Sequence, residues 1–166
     1  PQNRVAQLTD TPWLPLGEGR CLDGMVAVWR YLESPAGGGT VVGVLDLRAS
    51  AVRWANCGKG VSGAALALGG RLVVSNRAQV GGQPGRGYDA DLWALRMSDG
   101  GWLRLTTCGD AGGGAMSPDG KRVAFDTGRG DALWVMTLDE KAIMCAKPAS
   151  FKNIVTEPFL TKVPRH

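Results

Sequence analysis

Two carboxylates one residue apart, Asp89 and Asp91, are the first groups whose spacing could do chemistry. Such a pair can bind calcium, or act as acid and base in a hydrolysis, if a third acid reaches it. On a strand, however, residues i and i+2 share a face, and two acids at a loop–strand boundary are ordinarily solvated. No EF-hand spacing surrounds them, so no metal site is expected. The segment "GVSGA" (60–64) comes within one residue of a nucleophile elbow, with Ala64 where the second glycine belongs. A nucleophilic serine also needs a base, and the single histidine is the terminal His166. "GKGVSG" (58–63) has the glycine spacing that cradles a pyrophosphate at a helix N-terminus. No adequate helix follows it, and no acid stands about 20 residues on. It reads as a turn between structural units. No catalytic residue and no cofactor is implied, and the chain is expected not to be an enzyme.

The cysteines Cys21, Cys57, Cys108 and Cys145 form no CxxC pair, which with the lone terminal histidine argues against structural zinc. Their even number is compatible with two disulfides in an oxidising compartment, and equally with four small hydrophobic side chains. The spacing does not choose a pairing. A net charge of +4 is spread along the chain without a basic run, so nucleic acid is not an expected partner. No stretch approaches the roughly 18 consecutive apolar residues of a membrane helix. The sequence starts at Pro1 without an initiating methionine. That favours a processed precursor or a piece of one, and a removed secretion signal would put it in the periplasm or outside the cell.

What must position any functional group is a set of short strands. In 166 residues, 25 glycines and 9 prolines favour tight turns over long helices, within one domain's length. The strands repeat. "LDGMVAVWRY" (22–31), "LGGRLVVSNR" (68–77) and "PDGKRVAFDTG" (118–128) align on Gly24, Gly70 and Gly120, which are 46 and 50 residues apart. Second strands follow as "TVVGVLDL" (40–47), "ADLWALRM" (90–97) and "DALWVMTL" (131–138), with Trp93 and Trp134 in equivalent places. Third strands are expected at "AVRWANC" (51–57), "GWLRLTTC" (101–108) and "KAIMCAK" (141–147). The small-residue segments 62–68 and 112–117 suit an innermost strand. A period of about 40–50 residues with four short antiparallel strands per unit is the pattern of a β-propeller blade. Blades bury their apolar faces against one another, so Trp93 and Trp134 are expected between blades.

Residues 92–139 resemble the PD40, or TolB-like (WD40-like), propeller repeat. The resemblance rests on Leu105-Thr106, on Ser117-Pro118-Asp119-Gly120-Lys121, on Val123-Ala124-Phe125 and on Leu133-Trp134-Val135-Met136. Turn chemistry agrees with it: Pro118 presets φ, the Asp119 carboxylate can cap the turn, and Gly120 accepts a positive φ. The expected fold is all-β, a partial propeller of about three four-stranded antiparallel blades at about 20–57, 62–108 and 112–147. Residues 1–19 form an N-terminal arm and 148–166 a C-terminal arm or a partial fourth blade.

Propellers of this kind close rings of more blades, so two blade faces and two edges are left for other contacts. The long glycine-rich loop 78–90 carries Arg86 and Tyr88, an interface-prone pair. With Phe151 and Phe159 of the C-terminal segment, these are the candidate partner-binding residues. The reading is a non-enzymatic binding or scaffold module, an extrinsic accessory subunit of a larger extracytoplasmic complex, membrane-bound or free. Other protein subunits are its expected partners, and a small-molecule ligand is not expected. The alternatives are the propeller portion of a hydrolase or peptidase whose catalytic domain lies outside these residues, and a propeller that binds a small molecule or glycan, which would need an apolar pocket beside Trp93 or Trp134.

Overall fold

The structure is a computed structural model that describes residues 21–32, 39–58, 60–78, 90–127, 132–152 and 154–158. Its elements in chain order are β1 (Met25–Leu32), β2 (Gly39–Asp46), β3 (Ala51–Gly58), β4 (Val61–Ala67), β5 (Leu72–Ala78), β6 (Ala90–Arg96), β7 (Gly101–Arg104), β8 (Ala111–Met116), β9 (Arg122–Thr127), β10 (Leu133–Thr137), α1 (Glu140–Cys145), β11 (Ser150–Phe151) and β12 (Ile154–Pro158). They form three antiparallel sheets ordered β1-β2-β3-β12, β11-β7-β6-β5-β4 and β10-β9-β8. The fold is all-β and propeller-like.

Each sheet carries the turn that its sequence encodes, before β1 in the first and between the first two strands in the second and third. In the third, the Ser117 hydroxyl donates to Asp119 Oδ1 (2.5 Å), which also accepts from the Lys121 amide (3.0 Å). The Arg122 amide returns to Ser117 Oγ (2.9 Å), and Gly120 takes φ +68°. Gly24 and Gly70 each have φ +76°, so the three aligned glycines share one left-handed conformation. The turns also join the sheets, since the Leu68 amide donates to Gly120 O at 3.0 Å.

Alternation along the strands splits the apolar residues between two interfaces. Between the first and second sheets lie Ala27, Val42, Val44, Ala55 and Cys57 against Val61, Leu66, Val73, Leu95 and Trp102. Between the second and third lie Ala67, Leu72, Val74, Leu92 and Ala94 against Ala111, Val123 and Phe125. A third cluster of Val26, Val28, Val41, Leu45, Val52 and Trp54 is also buried. Side chains cross-link neighbouring sheets where water is excluded: Thr40 Oγ1 donates to Val61 O (2.7 Å) and Asn76 Nδ2 to Ala111 O (3.2 Å).

Three sequence expectations change. Glu140–Cys145, which takes in the first five residues of "KAIMCAK" (141–147), is a helix and not a third strand, because Asp139 caps it by accepting from the Ala142 amide at 2.9 Å. The third sheet therefore stops at β10. Trp134, expected between blades, is 54% exposed: among the described residues β10 is an edge strand of its sheet. Asp91, expected in solvent, is fully buried.

The C-terminal segment adds outer strands to two sheets. β11 pairs with β7, and β12 pairs with β3 in the register Ile154↔Ala55 to Pro158↔Ala51. It crosses the second sheet closely. The Lys152 amide donates to Gly100 O at 2.7 Å, and a Cβ on Gly100 would sit 1.8 Å from Lys152 O, so only glycine fits.

Candidate functional site

The feature that can recognise another molecule is the far face of the third sheet. In the β9–β10 register, Leu133 lies opposite Asp126, Val135 opposite Ala124, and Thr137 opposite Arg122. Directly opposed residues point to the same face. Alternation sends Val123, Phe125 and Met136 inward, where they pack on the second sheet. The outward face thus carries Leu133 (74% exposed) and Val135 (64%), continued by Ala124 and by exposed Ala115 of β8, which pairs with Ala124. Arg122 and Asp126, both exposed, stand at opposite ends of this apolar row. Trp134 lies at the free edge of the same sheet.

Two more apolar side chains are exposed on the outer rim, each on its own sheet: Phe151 (66%) of β11, opposite Gly101 of β7, and Val155 (45%) of β12, opposite Trp54 of β3. Leu133, Val135, Phe151 and Val155 are four of the six large apolar side chains that are exposed among the described residues, Trp134 at the β10 edge and Leu47 being the others. Exposed apolar surface is concentrated where the sheets end.

Of the residues singled out from sequence, Phe151 is exposed on the rim as a binding residue must be, while Arg86, Tyr88, Phe159, Asp89 and His166 lie outside the described residues. Leu133, Val135 and Val155 were not among the candidate partner-binding residues. The signal in the sequence is the apolar run of the strand "LWVMT" itself, whose burial pattern leaves Leu133 and Val135 exposed.

Asp91 serves the scaffold. Its carboxylate accepts from Arg104 Nε (3.0 Å) and Nη2, from the Thr106 hydroxyl (2.9 Å) and from the Gly109 amide (3.2 Å). These bonds saturate the acid that sequence alone offered as half of a catalytic or calcium-binding pair. Among the described residues no cluster of three or more His, Cys, Asp or Glu side chains could hold a metal ion.

All four cysteines are free thiols; Cys57 is buried, and Cys21, Cys108 and Cys145 are exposed. Burial pushes the Cys57 thiol up to about 11. At the repeat turn, the Ser117 hydroxyl and then the Lys121 amide hold the Asp119 carboxyl below the usual carboxylate range. Its role there is to hold the turn. Among the described residues no helix is long and apolar enough to cross a membrane.

Comparison with known proteins agrees with the strand repeat. Over 70 residues, 41% of this chain, the sequence is 45% identical to "Tol-Pal system protein TolB" of Anaeromyxobacter sp. (strain K) and of two strains of Anaeromyxobacter dehalogenans. The match spans 14% of those relatives' length. Among solved structures, the β-propeller domain of the Trilobed protease from Pyrococcus furiosus, described as having an open velcro topology, superposes with a TM-score of 0.55. That superposition covers 90% of this chain and 45% of the other at 10% identity, and it speaks to fold alone. No family model matches the chain. The Ser-Pro-Asp-Gly turn, the stacked antiparallel sheets and these similarities agree on one description: the chain carries a TolB-like repeat on a β-propeller fold.

Proposed function

We propose that this chain is a non-enzymatic protein-binding module of the propeller type, an extrinsic accessory subunit of a larger extracytoplasmic complex. The observation that carries this reading is the crowding of exposed apolar side chains onto the far face of the third sheet and the outer rim. Contiguous apolar patches on a folded protein mark interaction sites, whereas single exposed apolar residues do not. Rigid antiparallel sheets hold these side chains in fixed geometry, so binding costs little backbone ordering. The name of the 45%-identical relatives places them in a multicomponent system, which is consistent with this assignment. Of the candidate groups, Asp91 is held in a saturated ion pair and Ser62 lies within strand β4, an arrangement suited to a scaffold. A periplasmic or extracellular location fits the same reading.

The test is affinity capture from an envelope extract of the source cells, using the wild-type chain beside Phe151→Ala/Val155→Asp and Leu133→Asp/Val135→Asp. A defined set of proteins retained by the wild type and lost from either variant supports the module. Equal retention by all three, or turnover of peptide or glycoside substrates by the pure chain, overturns it.

A further inference from the structure

We infer that the far face of the third sheet is the contact surface for a second copy of this chain, joined about a two-fold axis. The inference rests on the reading of that face as a protein-binding surface and names its occupant.

The argument is the arrangement of charge around the apolar row. Val135, Ala124 and Ala115 run across all three strands at one level, with Leu133 beside them. On β9, Arg122 stands two residues to one side of Ala124 and Asp126 two residues to the other, both on the outward face. The two charges are therefore about 13 Å apart along the strand, with the apolar row between them. A two-fold axis through Ala124, lying between the faces and perpendicular to the strands, reverses the strand direction. It sets Arg122 of each copy over Asp126 of the other while Val135 and Ala124 pack against their counterparts. A surface that is apolar at its centre and carries opposite charges at equal distances on either side is complementary to itself, which is what an isologous contact requires.

Head-to-tail closure is disfavoured by the other end of the molecule. The cluster of Val26, Val28, Val41, Leu45, Val52 and Trp54 in the first sheet is already buried, each residue at 8% exposure or less. Among the described residues a second copy would find only Val155, opposite Trp54, exposed beside that cluster to receive its third sheet. The two-fold contact leaves Phe151 and Val155 on the rim for other subunits.

The face is small beside the roughly 800 Å² per partner of a standard stable interface, so association should depend on concentration over about 1–200 µM. Sedimentation equilibrium of the whole chain across that range should show a mass rising toward twice that of the monomer. Arg122→Glu and Asp126→Arg should each weaken the dimer about tenfold or more, by opposing like charges across the axis. The double exchange Arg122→Glu/Asp126→Arg should restore it, because both reciprocal pairs are rebuilt. Leu133→Asp/Val135→Asp should give a monomer with unchanged circular dichroism, and Phe151→Ala should leave the dimer intact. A chain that stays monomeric throughout overturns the inference, as does a dimer indifferent to both charge reversals. If the monomeric chain still captures a different protein through Leu133 and Val135, that partner owns the face and the proposed function stands without the dimer.

Discussion

Arg96 and Asp99 form an ion pair in which Nη2 lies 2.7 Å from Oδ2 and Nε 3.1 Å from Oδ1, with the arginine almost wholly buried. The remaining nitrogen, Nη1, donates to the carbonyls of Ile143 (3.2 Å), Met144 (2.8 Å) and Ala146 (3.0 Å) at the end of α1. One side chain of the second sheet thus satisfies the carbonyls that a helix leaves open at its C-terminus. It holds in place the helix that stands where a fourth strand was expected. Arg96→Met should cost about 2–4 kcal/mol in urea unfolding, through the lost charged hydrogen bonds and stranded carbonyls. Arg96→Lys should recover only part of that, since an ammonium cannot span Asp99 and three carbonyls together.

Asp91→Ala should destabilise by about 3–5 kcal/mol, because it leaves Arg104 and Thr106 without their shared acceptor in a water-poor site. Asp91→Asn, which keeps the shape and some acceptor capacity, should cost less. Calcium up to millimolar levels should leave the unfolding midpoint of the wild type unchanged. A midpoint raised by calcium would return Asp91 to the role of a ligand.

Stability should fall at both ends of the pH scale for different reasons. The buried Cys57 thiol has its folded pKa raised from 9.0 to about 11. Its contribution is therefore complete below pH 9 and lost as pH rises toward 11, by roughly 2–3 kcal/mol. Cys57→Ala should flatten that alkaline limb. Burial opposes the Asp99 carboxylate, but the Gly101 amide and Arg96 outweigh it and hold the carboxyl below its ordinary range. A lowered folded pKa gives stability that is present above the unfolded value, near 4, and lost as pH falls through the folded one. Asp99→Asn should weaken the acid dependence of the urea midpoint.

Native protein kept reduced should react at Cys21, Cys108 and Cys145 with a polar thiol reagent, and at Cys57 only on unfolding. Counting modified thiols by mass spectrometry checks this. Four rapid modifications without denaturant would show that the interface between the first two sheets opens readily.

Gly100→Ala should detach the C-terminal strands, since its methyl group would meet the Lys152 carbonyl at 1.8 Å on top of the strain of φ +72°. Hydrogen exchange at 150–158 should rise while exchange in β5 and β6 stays slow. Gly69→Ala is the comparison: its φ is +64° but nothing lies within 4 Å, so only the backbone penalty of about 1 kcal/mol applies.

The sequence by itself determined what short-range chemistry can enforce. Ser117, Pro118, Asp119 and Gly120 build their turn from bonds spanning at most five residues, and alternation in β5, β6 and β9 sorts side chains to two faces wherever those strands are placed. The repeat of that unit was enough to indicate stacked all-β blades. Tertiary structure alone decided what depends on distant partners. "KAIMCAK" carries a continuous apolar run of the length of a short strand, yet becomes a helix held by Asp139 and by Arg96 some fifty residues away. Trp93 and Trp134 occupy the same place in the repeat; Trp93 stacks on Trp102 with ring centres 5.9 Å apart, while Trp134 faces solvent. Asp91 is a buried ion-pair partner because Arg104 and Thr106 return beside it on the next strand. Burial and charge pairing belong to whatever the fold brings within a few ångströms, and no local pattern records a neighbour that arrives from a distant part of the chain.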